Sequence, residues 1–194
     1  MIESVLIVAQ SDNAVEFLKE ILQAASIRNI TAKHNCADAR QALIDRDFDL
    51  VIINAPLTDE TGERLAKQIA ARGASQVILV VKLEHFDAVA AASENDGVLC
   101  VPKPINRTNF WAVLSLAKSS HSRLLQMENE NAKLKRKIED IRIIDRAKCA
   151  MIEHKGITEQ EAHRYIEKQS MDKRISKRDV AIEVLEELGL DANA

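Results

Sequence analysis

Five short runs rich in β-branched residues recur over the first hundred positions of this chain: "SVLIVA" (4–9), "ITAKH" (30–34), "LVIIN" (50–54), "QVILVV" (76–81) and "GVLCVP" (97–102). Between them the pattern changes to helical spacing, as over 14–25, where Val15, Leu18, Ile21 and Leu22 share one face. Several of the strands are almost continuously apolar, which is the pattern of a sheet covered on both sides. Strands alternating with helices predict a five-stranded parallel α/β sheet of flavodoxin-like type. Ligands of such sheets gather beyond the carboxyl ends of the strands, where the strand order reverses. The residues at those ends are Ala9 and Gln10, Asn54, Val81 and Lys82, and Lys103 and Pro104.

From Arg107 to His154 no Gly or Pro interrupts the pattern, a span far beyond the usual helix of a compact domain, so a single long helix is predicted to leave the first module. With Ala117 as position a, the a/d series reads Ala117, Ser120, Leu124, Met127, Asn131, Leu134, Ile138, Ile141. A largely apolar heptad of this length calls for a partner helix. Asn131 at an a position favours a dimeric, in-register arrangement; a parallel homodimer is the leading reading and an intramolecular helix hairpin the alternative. Gly156 is placed to end the helix as a left-handed cap. Thr158 and Glu161 then form a capping box that starts a second helix through about Asp172, and Ser176 starts a third that ends at Gly189. The organisation expected is a first domain over 1–106, a connector over 107–141 and an all-α module of three helical stretches over 142–190.

Composition narrows this picture. Hydrophobic residues at 46% and charged residues at 29% are those of a globular chain, and 194 residues accommodate one ordinary domain and a smaller one. No run approaches the roughly 18 apolar residues of a membrane helix. Cys36, Cys100 and Cys149 stand far apart without ligand spacing, and a reducing cytoplasm suits them. The net charge of −3 hides an asymmetry: residues 142–178 hold ten Lys and Arg against six acids. A basic C-terminal module permits a nucleic-acid partner, although a mixed-charge helical surface is commonly just solvated. His154 and His163 belong to no metal-ligand constellation, and neither a nucleophile–base pair nor a phosphate-cradling glycine loop is present to argue for an enzyme, a metal or a cofactor.

The strand lengths and the "VPKP" that closes the fifth strand resemble the receiver (CheY-like) domain of response regulators. That resemblance implies an acidic pair after strand one, a phosphoacceptor aspartate after strand three, a Thr or Ser after strand four and a lysine after strand five. Of these Lys103 matches, while Ala9, Gln10, Asn54 and Val81 do not. A carboxamide at 54 is no phosphoacceptor, and Ala9 and Gln10 withhold the hard oxygen ligands that Mg²⁺ needs. Asp12 reads as the N-cap of the first helix and not as a replacement ligand. The expectation is a pseudo-receiver controlled by a partner protein or a ligand, with Lys103 hydrogen-bonded near the strand ends.

The segment 143–185 resembles the ANTAR family of RNA-binding antitermination regulators, through Ala147-Lys148, the "EHKG" turn (153–156), Glu161-Ala162 and "KQSMDKRISKRDVA" (168–181). Together the two halves resemble regulators of the amidase-operon type. Cys149, Ser170 and Ile141 depart from the family's pattern. The resemblance implies binding to paired hairpins with hexanucleotide loops in a leader mRNA. Lys148, Lys155, Arg164, Lys168, Lys173 and Arg174 are the electrostatic candidates, with Lys148 foremost, and Tyr165 either contacts a base or lies at the rim of the core. Ala147, Ala162, Met171 and Ala181 are expected to pack inside. The alternatives are a protein-interaction scaffold and, with less support, a DNA-binding regulator.

Overall fold

A computed structural model describes residues 2–191. The chain forms two compact units, Met1–Gln126 and Met127–Ala194. In the first, β1 (Ser4–Ala9), α1 (Asp12–Ala24), β2 (Asn29–Lys33), α2 (Cys36–Asp45), β3 (Leu50–Asn54), α3 (Glu63–Arg72), β4 (Gln76–Lys82), α4 (Leu83–Ser93) and β5 (Val98–Lys103) follow in order, with a short 3₁₀ turn over Glu94–Asp96. The five strands make one parallel sheet in the order β2-β1-β3-β4-β5, the predicted doubly wound architecture. Its reversal point lies between β1 and β3, whose ends pair Ala9 with Asn54.

The continuous apolar runs are explained by the two faces of this sheet. Successive side chains point to opposite sides, so Leu6, Val8, Val51, Ile53 and Leu79 pack with Ala39 of α2 and Leu65 and Ile69 of α3. Val5, Ile7, Leu50, Ile52 and Val80 pack on the other side with Leu18, Ile21 and Leu22 of α1. That second face also receives Phe110, Leu114 and Ala117 from the start of α5 (Arg107–Lys155). Each such aliphatic side chain taken from water contributes roughly 1.5–3 kcal/mol before conformational entropy is subtracted. Helix α1 is capped by Ser11, whose side chain accepts the N–H of Ala14, and not by Asp12 as expected. Asp12 is instead the first helical residue, where a carboxylate suits the positive end of the helix dipole.

The second unit is built from the end of α5 with α6 (Glu159–Lys173) and α7 (Lys177–Glu187). Ile143, Ala147, Ala150 and Met151 of α5 bury against Ala162 and Ile166 of α6 and Val180, Ala181, Val184 and Leu185 of α7. The small residues Ala147, Ala162 and Ala181 are fully buried, which lets the helices approach closely. Gly156 takes φ 65°, as a left-handed cap requires, and its N–H donates to the Ile152 carbonyl. Both predicted starts are present as reciprocal capping boxes, Thr158 with Glu161 and Ser176 with Asp179. Met171 is the exception to the expected packing: it is 72% exposed.

Candidate functional site

At the carboxyl end of the sheet, Ala9 and Val81 are buried, Asn54 is partly buried and Gln10 is exposed. The register sets Ala9 beside Asn54 and Lys82 beside Lys103. Lys103 Nζ donates to the carbonyl of Ala55 at 2.5 Å. Burial, and secondarily the Lys82 ammonium, hold the Lys103 ammonium below its ordinary range. The side-chain oxygen of Asn54 is buried without a hydrogen-bond partner, a condition that costs about 1–3 kcal/mol. A small cavity of about 150 Å³ beside these strand ends is lined by Ala55, Pro56, Thr61, Glu63, Val81 and Lys82, together with His85. Two further carboxylates near this end are engaged with other groups: Asp12 faces His34 at 3.7 Å, and Asp59 accepts the N–H groups of Cys36 and Ala37 at the start of α2 at 2.9 and 3.0 Å.

Cys36, Asp59 and Glu60 come close enough together to be considered as metal ligands, a juxtaposition invisible in the sequence because Cys36 opens α2 while Asp59 lies 23 residues further on, between β3 and α3. Each is already occupied. Glu60 holds Arg40 through two hydrogen bonds of 2.6 and 2.9 Å, Asp59 holds the start of α2, and burial followed by the two carboxylates pushes the Cys36 thiol up to about 11. The trio is a structural brace, since a thiol so disfavoured as thiolate is a poor ligand.

The heptad positions of α5 divide among three environments. Ala117 is buried in the core of the first unit, so the stripe that began there is shorter than expected. Ser120 and Leu124 are partly buried, whereas Asn131 is exposed. Met127, Leu134, Ile138 and Ile141 are exposed at 68%, 58%, 52% and 58%. His121, which the sequence reading passed over, follows Phe110, Leu114 and Ala117 at helical spacing and is 2% exposed. That spacing was the signal for it.

The candidate RNA-contacting residues separate into two groups on the second unit. Lys148, foremost from sequence, has a side chain 15% exposed with Asp145 at 2.7 Å and Glu159 at 3.5 Å. Its hydrogen bond to Asp145 is the main reason its ammonium is held above the ordinary range. Lys155 lies 4.0 Å from Glu187 and 5.5 Å over the ring of Tyr165, and Lys173 is paired with Glu183 at 2.6 Å. These three cations are partly neutralised by their own fold. Arg164, Lys168 and Arg174 are exposed and form no ion pair among the described residues. Arg174 adopts a left-handed conformation at the end of α6. Tyr165 is 37% exposed, at the rim of the core.

Comparison with known proteins agrees with this division of the chain. The response regulator receiver domain family matches residues 5–115, and the ANTAR domain family matches residues 132–185. The chain belongs to the receiver family and carries an ANTAR domain, which makes it a response-regulator-like transcriptional regulator. Among its relatives is the transcriptional regulatory protein PdtaR of Mycobacterium tuberculosis, 28% identical over 141 residues, a match covering 73% of this chain and 69% of that one. Solved structures share the fold of the first unit. The signal receiver domain of an HD domain-containing protein from Pseudomonas fluorescens Pf-5 superposes with a TM-score of 0.57 at 20% identity, covering 64% of this chain and 93% of that one. A CheY-like receiver domain from Methylobacillus flagellatus gives 0.52 at 23% identity, covering 60% and 99%. Among the described residues no helix is long and apolar enough to cross a membrane.

Proposed function

We propose that this chain is an RNA-binding transcription antitermination regulator in which the receiver-like unit is no longer switched by phosphate. Residues 142–190 bind paired hairpin loops of a nascent leader mRNA. Residues 107–141 supply a parallel coiled coil that joins two copies through Leu124, Met127, Asn131, Leu134, Ile138 and Ile141. Residues 1–106 receive a sensor protein, a sequestering partner or a small ligand. The observation that carries the RNA reading is the outward face of α6, where Arg164 and Lys168 stand one helical turn apart without ion pairs among the described residues and Tyr165 adjoins them. Cations without internal partners are free to neutralise phosphates, and the counterions released make binding steeply salt-dependent.

The reading of the first unit rests on Ala9, Gln10 and Asn54, which offer neither a phosphoacceptor carboxylate nor the anionic oxygens that hold Mg²⁺. A protein-interaction scaffold is the competing function, supported by the same exposed α5 stripe. Titrating the full chain with a two-hairpin leader RNA over a range of salt decides between them. The expected result is nanomolar-to-micromolar binding that weakens steeply with salt and falls by at least tenfold in Arg164→Glu/Lys168→Glu. Binding indifferent to salt and to this charge reversal would refute the RNA reading, and RNA-free material by its 260/280 nm absorbance ratio would favour the scaffold.

A further inference from the structure

Met171 is expected to be a core residue and is 72% exposed, on the face of α6 opposite buried Ala162 and Ile166. Positions 164, 168 and 171 stand at i, i+4 and i+7, so Arg164, Lys168 and Met171 form one row along that outer face. Arg164 lies within the electrostatic reach of Glu161, but among the described residues neither it nor Lys168 forms an ion pair. The carboxylates that border the row are largely spent on other groups. Glu161 is bonded to the Thr158 hydroxyl and N–H, and Glu167 is bonded to Lys177 at 2.5 Å with His163 at 3.4 Å. Asp172 is the neighbouring acid that forms no ion pair among the described residues.

An exposed, unbranched apolar side chain at the end of a row that holds two cations suits a ligand that sets a flat ring beside negative charges. A thioether is polarizable and packs well against aromatic faces, and the bases of a hairpin loop are aromatic faces with a phosphate on either side. We propose that the Arg164–Lys168–Met171 row is the loop-contacting surface of the RNA site: Met171 packs its thioether on one splayed loop base while Arg164 and Lys168 take the adjoining phosphates. The assignment rests on the RNA-binding function proposed above. It makes Met171 a determinant of loop recognition, distinct from the cations that supply salt-sensitive affinity.

The test uses the full chain and a two-hairpin RNA carrying 2-aminopurine at each loop position in turn. Wild-type protein is expected to change the fluorescence at one loop position. Met171→Ala should lose that signal and bind roughly three- to tenfold more weakly, as expected for loss of a sulfur–aromatic contact, with its salt slope unchanged. Arg164→Gln and Lys168→Gln should each reduce the salt slope by about one. Met171→Leu, which restores an apolar contact, should recover part of the affinity, and because Met171 is exposed all variants should melt as the wild type does. If Met171→Ala binds and perturbs the loop as the wild type does, the assignment is overturned while the RNA function stands. If Met171→Ala alters the sedimentation of RNA-free protein, the row is a protein–protein contact and the assignment is likewise overturned. Failure of the wild type to bind any hairpin RNA removes both.

Discussion

Asp49 accepts the backbone N–H groups of Glu3 and Ser4 at 2.7 and 2.8 Å and the Ser4 hydroxyl at 3.1 Å. His121 Nε2 stands 3.5 Å from its other oxygen; neither ring nitrogen of His121 has a hydrogen bond, so this is an electrostatic contact. Burial is the largest single influence on Asp49 and opposes its charge, but the three hydrogen bonds and His121 together hold its carboxyl below the ordinary range. A carboxyl held low in the folded state contributes stability that is present above its unfolded value, near 3.9, and is lost as pH falls through the folded value. Asp49→Asn should therefore destabilise the first unit by about 1–3 kcal/mol at neutral pH. In urea melts the gap between variant and wild type should narrow below about pH 4; a gap independent of pH would contradict the role of the charge. Asn54 permits a second expectation at this scale. Asn54→Asp restores a carboxylate but leaves Ala9 and Gln10 in place, so incubation with acetyl phosphate and Mg²⁺ should add no phosphoryl mass to the variant; an 80 Da gain, the mass of a phosphoryl group on an activated carboxylate, would show that the missing metal ligands do not matter.

Among the elements, α3 depends on a backbone detail. Gly62 precedes it at φ 88°, and a Cβ there would lie 2.9 Å from Ile53 Cγ2. Both the left-handed conformation and the contact with a buried strand residue resist substitution, so Gly62→Ala should cost about 1–3 kcal/mol and lower the melting temperature accordingly. Gly156 has φ 65° but nothing within 4 Å of a Cβ, so Gly156→Ala meets the conformational penalty alone and should lose less. Equal losses at the two sites would mean that the Ile53 contact is relieved by relaxation. Helix α5 shows why a heptad read along a sequence needs trimming. Its apolar stripe from Phe110 through Leu114 to Ala117 is taken up by the sheet, and Ile143, Ala147, Ala150 and Met151 are taken up by the second core. The part left exposed, Met127 to Ile141, is the part that a partner can use.

For the molecule as a whole, that exposed stripe is a liability in a monomer and an asset in a dimer. Apolar side chains such as Leu134 and Ile138 gain roughly 1.5–3 kcal/mol each when an interface covers them. The proposed coiled coil is only about two and a half heptads, so replacing two of its seam residues should dissolve it. Sedimentation at micromolar concentration should give a dimer for the wild type and a monomer for Leu134→Asp/Ile138→Asp. A monomeric wild type would refute the coiled coil, leaving the stripe for another partner.

The five strands, the Thr158–Glu161 capping box, the Ser176 helix start and the long α5 were legible in the sequence, because local periodicity and capping chemistry depend on residues within a few positions of one another. The groups at the strand ends can be read from the sequence too, since Ala9 and Gln10 carry no carboxylate and Asn54 carries a carboxamide whatever the packing. The carboxylate brace around Cys36, the pairing of His121 with Asp49 and the sorting of the basic residues were decided by tertiary structure. Lys148 and Arg164 look equivalent as letters, yet Lys148 lies among Asp145 and Glu159 while Arg164 faces outward. Met171 is apolar and belongs to the motif expected to pack inside, but it falls on the outer side of α6, because Ala162 and Ile166 set which side meets the core. Sequence determines which groups a chain possesses and the local elements they favour. Which of those groups neutralise one another, and which remain available to a ligand, depends on charge and burial contributed by residues far away along the chain.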